Sequence, residues 1–467
     1  MKKTKIVCTI GPACDSPDML DKLAKSGMNV ARLNFSHGDH TSHLVNIKKI
    51  NELNTHLEVP IAILIDLQGP DIRLGLFKEK TFLEDGKQVV LTTKELVSDA
   101  ETISIDYKKF PQSVSKGSFV YIADGTIELK VKEIKGQDVI CEVVVGGEVN
   151  SRKNVNIPGA VVDLPAISDK DANDARFGAE NKVDFIGLSF VKTAKDIMEL
   201  KELLEKNHSE ADVIAKIECI QAVNNIDEII KAADGIMVAR GDLGVQVPIE
   251  EVPNIQKMII KKCNQAGKPV IVATQMLESM TKNPRPTRAE VTDVSNAILD
   301  GADAVMLSGE TANGKYPHRA IDMMNKIIRE TEKTMNNLIL ENYNEPLSIE
   351  HAISRSVCQS AHDLHAAAII TCTKSGYTAR TISKYRPKKP IIAVTPSLTE
   401  TKHLNLSWGV YPLLIKNSLD TDDLIKDAVN AVKKTGLISE GDTVVITAGI
   451  PFKIPGLMNF MKVHIVE

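Results

Sequence analysis

The sequence predicts an α/β protein built on a (β/α)8 barrel of the TIM type, with an all-β segment inserted after the third strand and a further α/β unit at the C-terminal end. Three observations carry this prediction. Eight short apolar runs alternate with amphipathic helical segments, as parallel strands covered on both faces do. The alternation breaks once, over residues 70–157, a stretch far longer than an ordinary strand-to-helix loop. After residue 335 the alternation resumes with a new set of runs.

The eight runs are KIVCTI (5–10), VARLNF (30–35), IAILIDL (61–67), DFIGLSF (184–190), VIAKI (213–217), GIMVA (235–239), VIVAT (270–274) and AVMLS (304–308). Helical patterns lie between most of them. SPDMLDKLAKSG opens with Ser16 as N-cap and stops at Gly27. SDKDANDARFGAE opens with Ser168 and Asp171, the capping-box spacing. TAKDIMELKELLEKN, QAVNNIDEIIKAA, PNIQKMIIKKCNQAG, TRAEVTDVSNAILDG and HRAIDMMNKIIRETEKTM continue the rhythm. The barrel is assigned to residues 1–69 and 158–335, about 250 residues, the usual size of such a barrel. The insertion carries the alternating runs SFVYIA, ELKVKEI and VICEVVV, separated by Gly-Gln, Asp-Gly and Gly-Gly turns. The C-terminal unit, 336–467, has the runs AAIITCT, PIIAVT, VYPLLI, TVVITAG and KVHIV.

Composition narrows the function. A chain of 467 residues is too long for one core. Its net charge of -4, without a basic stripe, argues against nucleic acid as the partner. No apolar stretch approaches the roughly 20 residues of a membrane helix. The start, MKKTKIVCTIGPA, has too short an apolar run for a signal peptide and reads as a strand followed by a turn. Seven scattered cysteines without CxxC spacing suggest neither a disulfide framework nor a thiolate zinc site. A reducing cytoplasm is the expected compartment.

A barrel keeps its chemistry at the C-terminal ends of its strands, and polar residues collect there. Strand two ends Arg32-Leu33-Asn34-Phe35-Ser36, and strand three Asp66-Leu67-Gln68-Gly69-Pro70 with Arg73 beyond. Strand five carries Lys216 and Glu218, two residues apart and therefore on one face. Strand six runs into Arg240-Gly241-Asp242, strand seven into Thr274-Gln275, strand eight into Ser308-Gly309-Glu310. Charges seldom lie near a core unless paired or functional. Glu218 and Asp242 offer hard oxygen ligands for a divalent cation, Mg²⁺ first. Lys216 would then face a phosphate or a developing oxyanion. Gly241 admits a ligand close to the backbone, and a helix turn starting in GDLG would present free N–H groups to a carboxylate. His37-Gly-Asp-His40 reads as polar loop, since two histidines without a third ligand make a poor metal site. Thr373-Lys374-Ser375-Gly376-Tyr377-Thr378, after a strand, resembles an anion nest, with an ordinary strand-to-helix turn as the other reading.

The motifs MKKTKIVCTIGPA, NVARLNFSHGDH, LIDLQGPDIR, AKIE, DGIMVARGDLGVQVP, VATQMLESM, PRPTRAEVTDVSNAILDGADAVMLSGETANGKYP and TKSGYTAR resemble pyruvate kinase, in order, across almost the whole chain. The resemblance implies a barrel A domain, a β-rich B domain acting as a lid over the site and a regulatory C domain. It implies phosphoryl transfer from phosphoenolpyruvate to ADP, giving pyruvate and ATP in glycolysis, and a cytoplasmic homotetramer regulated by a sugar phosphate. By the same resemblance, Lys216 stabilises the transferring group and the enolate, and Arg32 binds the phosphate. Gly241 and Asp242 contact the substrate, and Thr274 serves the proton relay. Glu218 and Asp242 would hold Mg²⁺ or Mn²⁺. Asn34, Ser36, Asp66 and the carbonyl of Leu67 would hold K⁺. Asn34, Ser36, His37, Arg73 and Lys153 would face the nucleotide, and Thr373, Lys374, Ser375, Gly376 and Thr378 the effector.

The chain departs from the family pattern at three places. Leu67 replaces a common threonine, which spares a backbone ligand. Asp71 stands where members carry glutamate, associated with K⁺ dependence, or lysine, associated with independence; its sign favours K⁺ activation. Tyr377 replaces a basic residue of some members, which leaves fructose 1,6-bisphosphate open against a monophosphate such as glucose 6-phosphate or ribose 5-phosphate. Two other readings are an Mg²⁺-dependent barrel lyase or aldolase acting through an enolate, and a non-catalytic sensor that keeps only the effector domain.

Overall fold

The apolar runs become the staves of one closed barrel in the computed structural model, which describes residues 1–160, 162–335, 348–416, 421–450 and 457–467. Residue 336, where the C-terminal unit was expected to begin, lies outside the described residues. The barrel strands are Lys5–Thr9, Val30–Asn34, Ala62–Asp66, Phe185–Leu188, Asp212–Ile217, Gly235–Ala239, Val270–Ala273 and Ala304–Leu307. Each pairs in parallel with its neighbours, and the last closes onto the first. Helices return the chain between strands, as parallel pairing requires. The helix Pro17–Lys25 has Ser16 as its N-cap, accepting from the Met19 N–H, and Gly27 lies beyond its end with φ of 104°. Burial of its Leu20 and Leu23 stabilises the barrel by about 1.5–3 kcal/mol each. The helix Asp169–Glu180 starts at Ser168 with the capping box complete.

Alternation along the strands divides their side chains between two cores. Ile6, Cys8, Ala31, Leu33, Ile63 and Ile65 point outward, into the core shared with the helices. Val7, Val30, Leu64, Phe185, Ile214, Met237 and Ile271 fill the barrel interior, and Leu406 of the C-terminal unit joins them. The next inward residue along three of these strands is charged: Arg32, Asp66 and Lys216. An apolar layer thus underlies a charged one.

The insertion runs from Ile72 to Asn156 in a seven-stranded sheet and a separate two-stranded pair. It has its own core, centred on Leu74, Val89, Leu91, Phe110, Val120 and Leu129. It is not purely β, because Phe110–Ser113 forms one short helix with a proline in its first turn. The C-terminal unit is a five-stranded sheet in the order Val410–Leu414, Ile391–Thr395, Ala368–Cys372, Thr443–Ala448, Phe460–Ile465. Among the described residues, only the last of these strands pairs antiparallel. The unit locks to the barrel through Arg386, whose guanidinium donates to Asp303 at 2.9 and 3.0 Å.

Candidate active site

The charged layer is a connected network. Arg32 donates through Nε to Asp66 at 2.7 Å and through a terminal nitrogen to Thr9 at 2.8 Å. Lys216 Nζ lies 3.0 Å from the second Asp66 oxygen and 2.9 Å from Glu218 Oε1. It also donates to Ser189 Oγ at 2.7 Å, and Ser189 in turn donates to the Leu67 carbonyl at 2.6 Å. The other Glu218 oxygen accepts from the Phe190 N–H at 2.6 Å. Asp66 and Glu218 are each 1% exposed, so these charges interact with little solvent screening.

Burial alone would lower the pKa of Lys216, but Asp66 and Glu218 together hold it above the ordinary lysine value. Burial would raise Asp66; Lys216 and Arg32 overcome that and hold it below the usual carboxylate range. Asp242 has the opposite fate. Desolvation first, then the like charge of Glu218, push its carboxyl up to about 7. In all, two cations face three carboxylates, and the surplus negative charge sits at Glu218 and Asp242. That surplus, on hard oxygen donors, fits a small divalent cation. Among the described residues no group of three His, Cys, Asp or Glu side chains converges on a metal position. Two carboxylates suffice for Mg²⁺, which keeps several waters or substrate oxygens in its shell.

A cavity of about 760 Å³ opens above this layer, between the barrel and the inserted sheets. Arg32, Asn34, Ser36, His37, Arg73, Lys153, Lys216, Glu218 and Asp242 all line it, as does Asp124 of the insertion. Asp66 and Leu67 are buried. Gly241 and Thr274 form their own contact, in which the Gly241 N–H donates to Thr274 Oγ1 at 2.8 Å. A seven-residue helix starts at Arg240, so the GDLG turn is helical.

The K⁺ candidates are partly engaged already. Asn34 Oδ1 accepts from the Ser36 N–H at 3.1 Å, and Asp66 serves Arg32 and Lys216. Asp71 pairs with Arg73 at 2.6 Å, and Gln68 donates to it at 3.2 Å. The HGDH segment is a loop clamp. His40 Nε2 lies 2.7 Å from Asp174 while its ring stacks on Phe177, and His43 bonds the His37 carbonyl at 2.9 Å. The effector candidates stand apart from the cavity, in the C-terminal unit. Gly376 adopts φ of 69° ahead of a short helix, and Thr373 and Thr378 are buried. Arg380 donates to the Ser375 carbonyl at 2.5 Å and lies 3.8 Å from Glu400.

Sequence reasoning missed several participants. Ser189 sits just past the strand Phe185–Leu188, where nothing local marks a role, yet it links Lys216 to Leu67. Thr274 and Gln275 adopt left-handed φ of 68° and 54°. For a β-branched residue that conformation is an outlier costing about 1–3 kcal/mol, and such strain concentrates at functional sites. Arg240 braces the strained turn. It donates to the Thr274 carbonyl at 2.7 Å, to the Ala273 carbonyl at 3.3 Å and to both Asp293 oxygens at 2.7 Å. Asp293 lies on the helix Arg288–Leu299, and no local sequence pattern pairs it with Arg240.

Comparison with known proteins agrees with this architecture. A family model described as "Pyruvate kinase, barrel domain" matches residues 1–321, and "Pyruvate kinase, alpha/beta domain" matches residues 351–464. A pyruvate kinase of Clostridium acetobutylicum is 46% identical over the full length of both chains. One from Staphylococcus epidermidis is 47% identical over all of this chain and 81% of its own. The crystal structure of a pyruvate kinase from Cryptosporidium parvum superposes with a TM-score of 0.95 at 40% identity, covering 100% of this chain and 96% of that one.

Proposed function

The chain belongs to the pyruvate kinase family and is a phosphotransferase, and on that premise we propose that the cleft above Lys216 is where a phosphoryl group passes from phosphoenolpyruvate to ADP. The observation that carries this reading is the buried Arg32–Asp66–Lys216–Glu218 network beneath a 760 Å³ cavity. Phosphoryl transfer calls for positioning and charge neutralisation more than covalent help. Lys216, kept protonated by Asp66 and Glu218, holds a fixed positive charge where the phosphoryl oxygens and then the enolate oxygen develop negative charge. Arg32, aligned by Asp66 and Thr9, grips the phosphate from the stave Val30–Asn34, three along from that of Lys216. Glu218 and Asp242 would hold Mg²⁺ or Mn²⁺, which on binding supplies further charge neutralisation for the phosphoryl oxygens. Thr274 holds the water that delivers a proton to the enolate carbon. Asn34, Ser36, His37, Arg73 and Lys153 contact the nucleotide from the rim. The inserted β domain closes as a lid and excludes water, so the phosphoryl group reaches ADP rather than solvent.

Asn34, Ser36, Asp66 and the Leu67 carbonyl hold K⁺, with the Asp71 charge beside them. The loop Thr373–Thr378 binds a sugar phosphate through Thr373, Lys374, Ser375, Gly376 and Thr378, and the chain acts as a cytoplasmic homotetramer. No described helix is long and apolar enough to cross a membrane. The lyase reading is not favoured: the whole-chain relatives are phosphotransferases, and the lid brings Arg73 and Lys153 to the cavity. The deciding experiment is a coupled pyruvate assay with phosphoenolpyruvate, with and without ADP, Mg²⁺ and K⁺, against a panel of sugar phosphates. Pyruvate formation that needs ADP and a divalent cation is expected; pyruvate formed equally without ADP overturns the proposal.

A further inference from the structure

We propose that Arg240, anchored by Asp293, is a positioning residue for the proton-transfer half of the reaction, holding Thr274 in the strained conformation from which its hydroxyl works. The inference rests on the reading of Thr274 as the residue that organises the proton source. Three observations carry it. Thr274 and Gln275 both adopt left-handed backbone, with φ of 68° and 54°, and a β-branched residue does not hold that conformation without outside support. The support is one guanidinium, bonded to the carbonyls of Thr274 and Ala273 and fixed through one terminal nitrogen that lies 2.7 Å from both Asp293 oxygens. The same turn fixes the hydroxyl rotor, which donates to the Ala273 carbonyl at 2.6 Å and accepts from the Gly241 N–H at 2.8 Å. Arg240 immediately precedes Gly241 and Asp242. It therefore ties the end of the sixth barrel strand to that of the seventh, so that one side chain sets the distance between the Asp242 carboxylate and the Thr274 hydroxyl.

A planar fork is required here. Lysine replaces the charge, but its three donors share one nitrogen, whereas Arg240 reaches Ala273, Asp293 and Thr274 through three different nitrogens. Arg240 bonds neither Lys216 nor Arg32 but holds Thr274 directly, so its loss should weigh more on proton transfer than on the grip on the phosphoryl group. The measurement is the exchange of pyruvate methyl hydrogens with deuterium in heavy water, followed by NMR on the full-length enzyme with Mg²⁺ and K⁺. In this exchange a C–H bond of pyruvate breaks, its proton leaves through the Thr274-held water, and a deuteron returns to the enolate carbon. Overall turnover, KM for phosphoenolpyruvate and the melting temperature are read in parallel.

In Arg240→Met, exchange and kcat are expected to fall at least tenfold while KM changes less than threefold. Arg240→Lys recovers a minor part of the loss. Asp293→Asn, at a side chain 37% exposed and so least disruptive to folding, gives an intermediate loss. Thr274→Ala tests the underlying reading separately. If Thr274→Ala exchanges methyl hydrogens at the normal rate, Thr274 is not the proton organiser and that reading fails first. If Thr274→Ala is impaired but folded Arg240→Met and Asp293→Asn exchange normally, the positioning role alone is overturned. A change in KM without loss of exchange, or melting-temperature loss alone, overturns it equally.

Discussion

The two ends of the barrel both bury charge, and they do so in opposite ways. At the base, Asp303 accepts two bonds from Arg386, one from the Trp408 N–H at 3.1 Å and one from the Val270 N–H at 3.2 Å. The same guanidinium bonds Asn264 and the Gly301 carbonyl, and the charges balance. At the top, a layer of two cations and three carboxyl groups lies beneath an open cavity, and Asp242 is pushed up to about 7. Closed and balanced charge serves to join two domains. Unbalanced charge facing space is left for something that arrives.

Substitutions at the two ends should therefore break different properties. The largest effect is expected at the top: Lys216→Met should lower kcat by about 10²–10³-fold, the scale of removing one preorganised electrostatic group. Steady-state assay of folded enzyme checks this, and near-normal turnover would remove the role assigned to Lys216. At the base, Arg386→Met strands the Asp303 charge and should cost about 3–5 kcal/mol of stability, read from denaturant unfolding. Protein that survives this change should keep most of its kcat, which sharpens the contrast. A smaller effect is expected from cation exchange. Replacing K⁺ by a larger organic cation at saturating substrate should lower the rate, and equal rates would show that Asp71, paired with Arg73, does not confer K⁺ activation. The smallest is the surface control Lys25→Ala. It removes an exposed helical ion pair with Asp21 and should change stability by about 0.5 kcal/mol or less.

The same contrast explains what was legible in the sequence. The barrel, its interruption after the third strand and the C-terminal sheet follow from local periodicity. So do the caps at Ser16 and Ser168, because a cap is decided within four residues. Lys216 and Glu218 announced themselves by sharing one face of a strand, a rule of period two. The Phe110–Ser113 helix inside the β insertion is one turn long, too short for a periodic signal. Ser189 was hidden because a serine at the end of an apolar run has no local mark of function. Arg240 and Asp293 are joined only by the packing of a helix against strand ends, 53 positions apart. Asp66 shows a subtler limit: the resemblance assigns it to K⁺, whereas both of its oxygens lie at Arg32 and Lys216. One residue can serve a cation and brace two side chains, and a linear motif does not distinguish these roles.

On the proposed function, Glu218 and Asp242 together seat a divalent cation. Mn²⁺ titration followed by electron paramagnetic resonance, on wild-type enzyme and on folded Asp242→Asn and Glu218→Gln, tests it without turnover. One ion bound per wild-type chain is expected, with affinity reduced at least tenfold in each variant. Unchanged Mn²⁺ binding in both variants would contradict it.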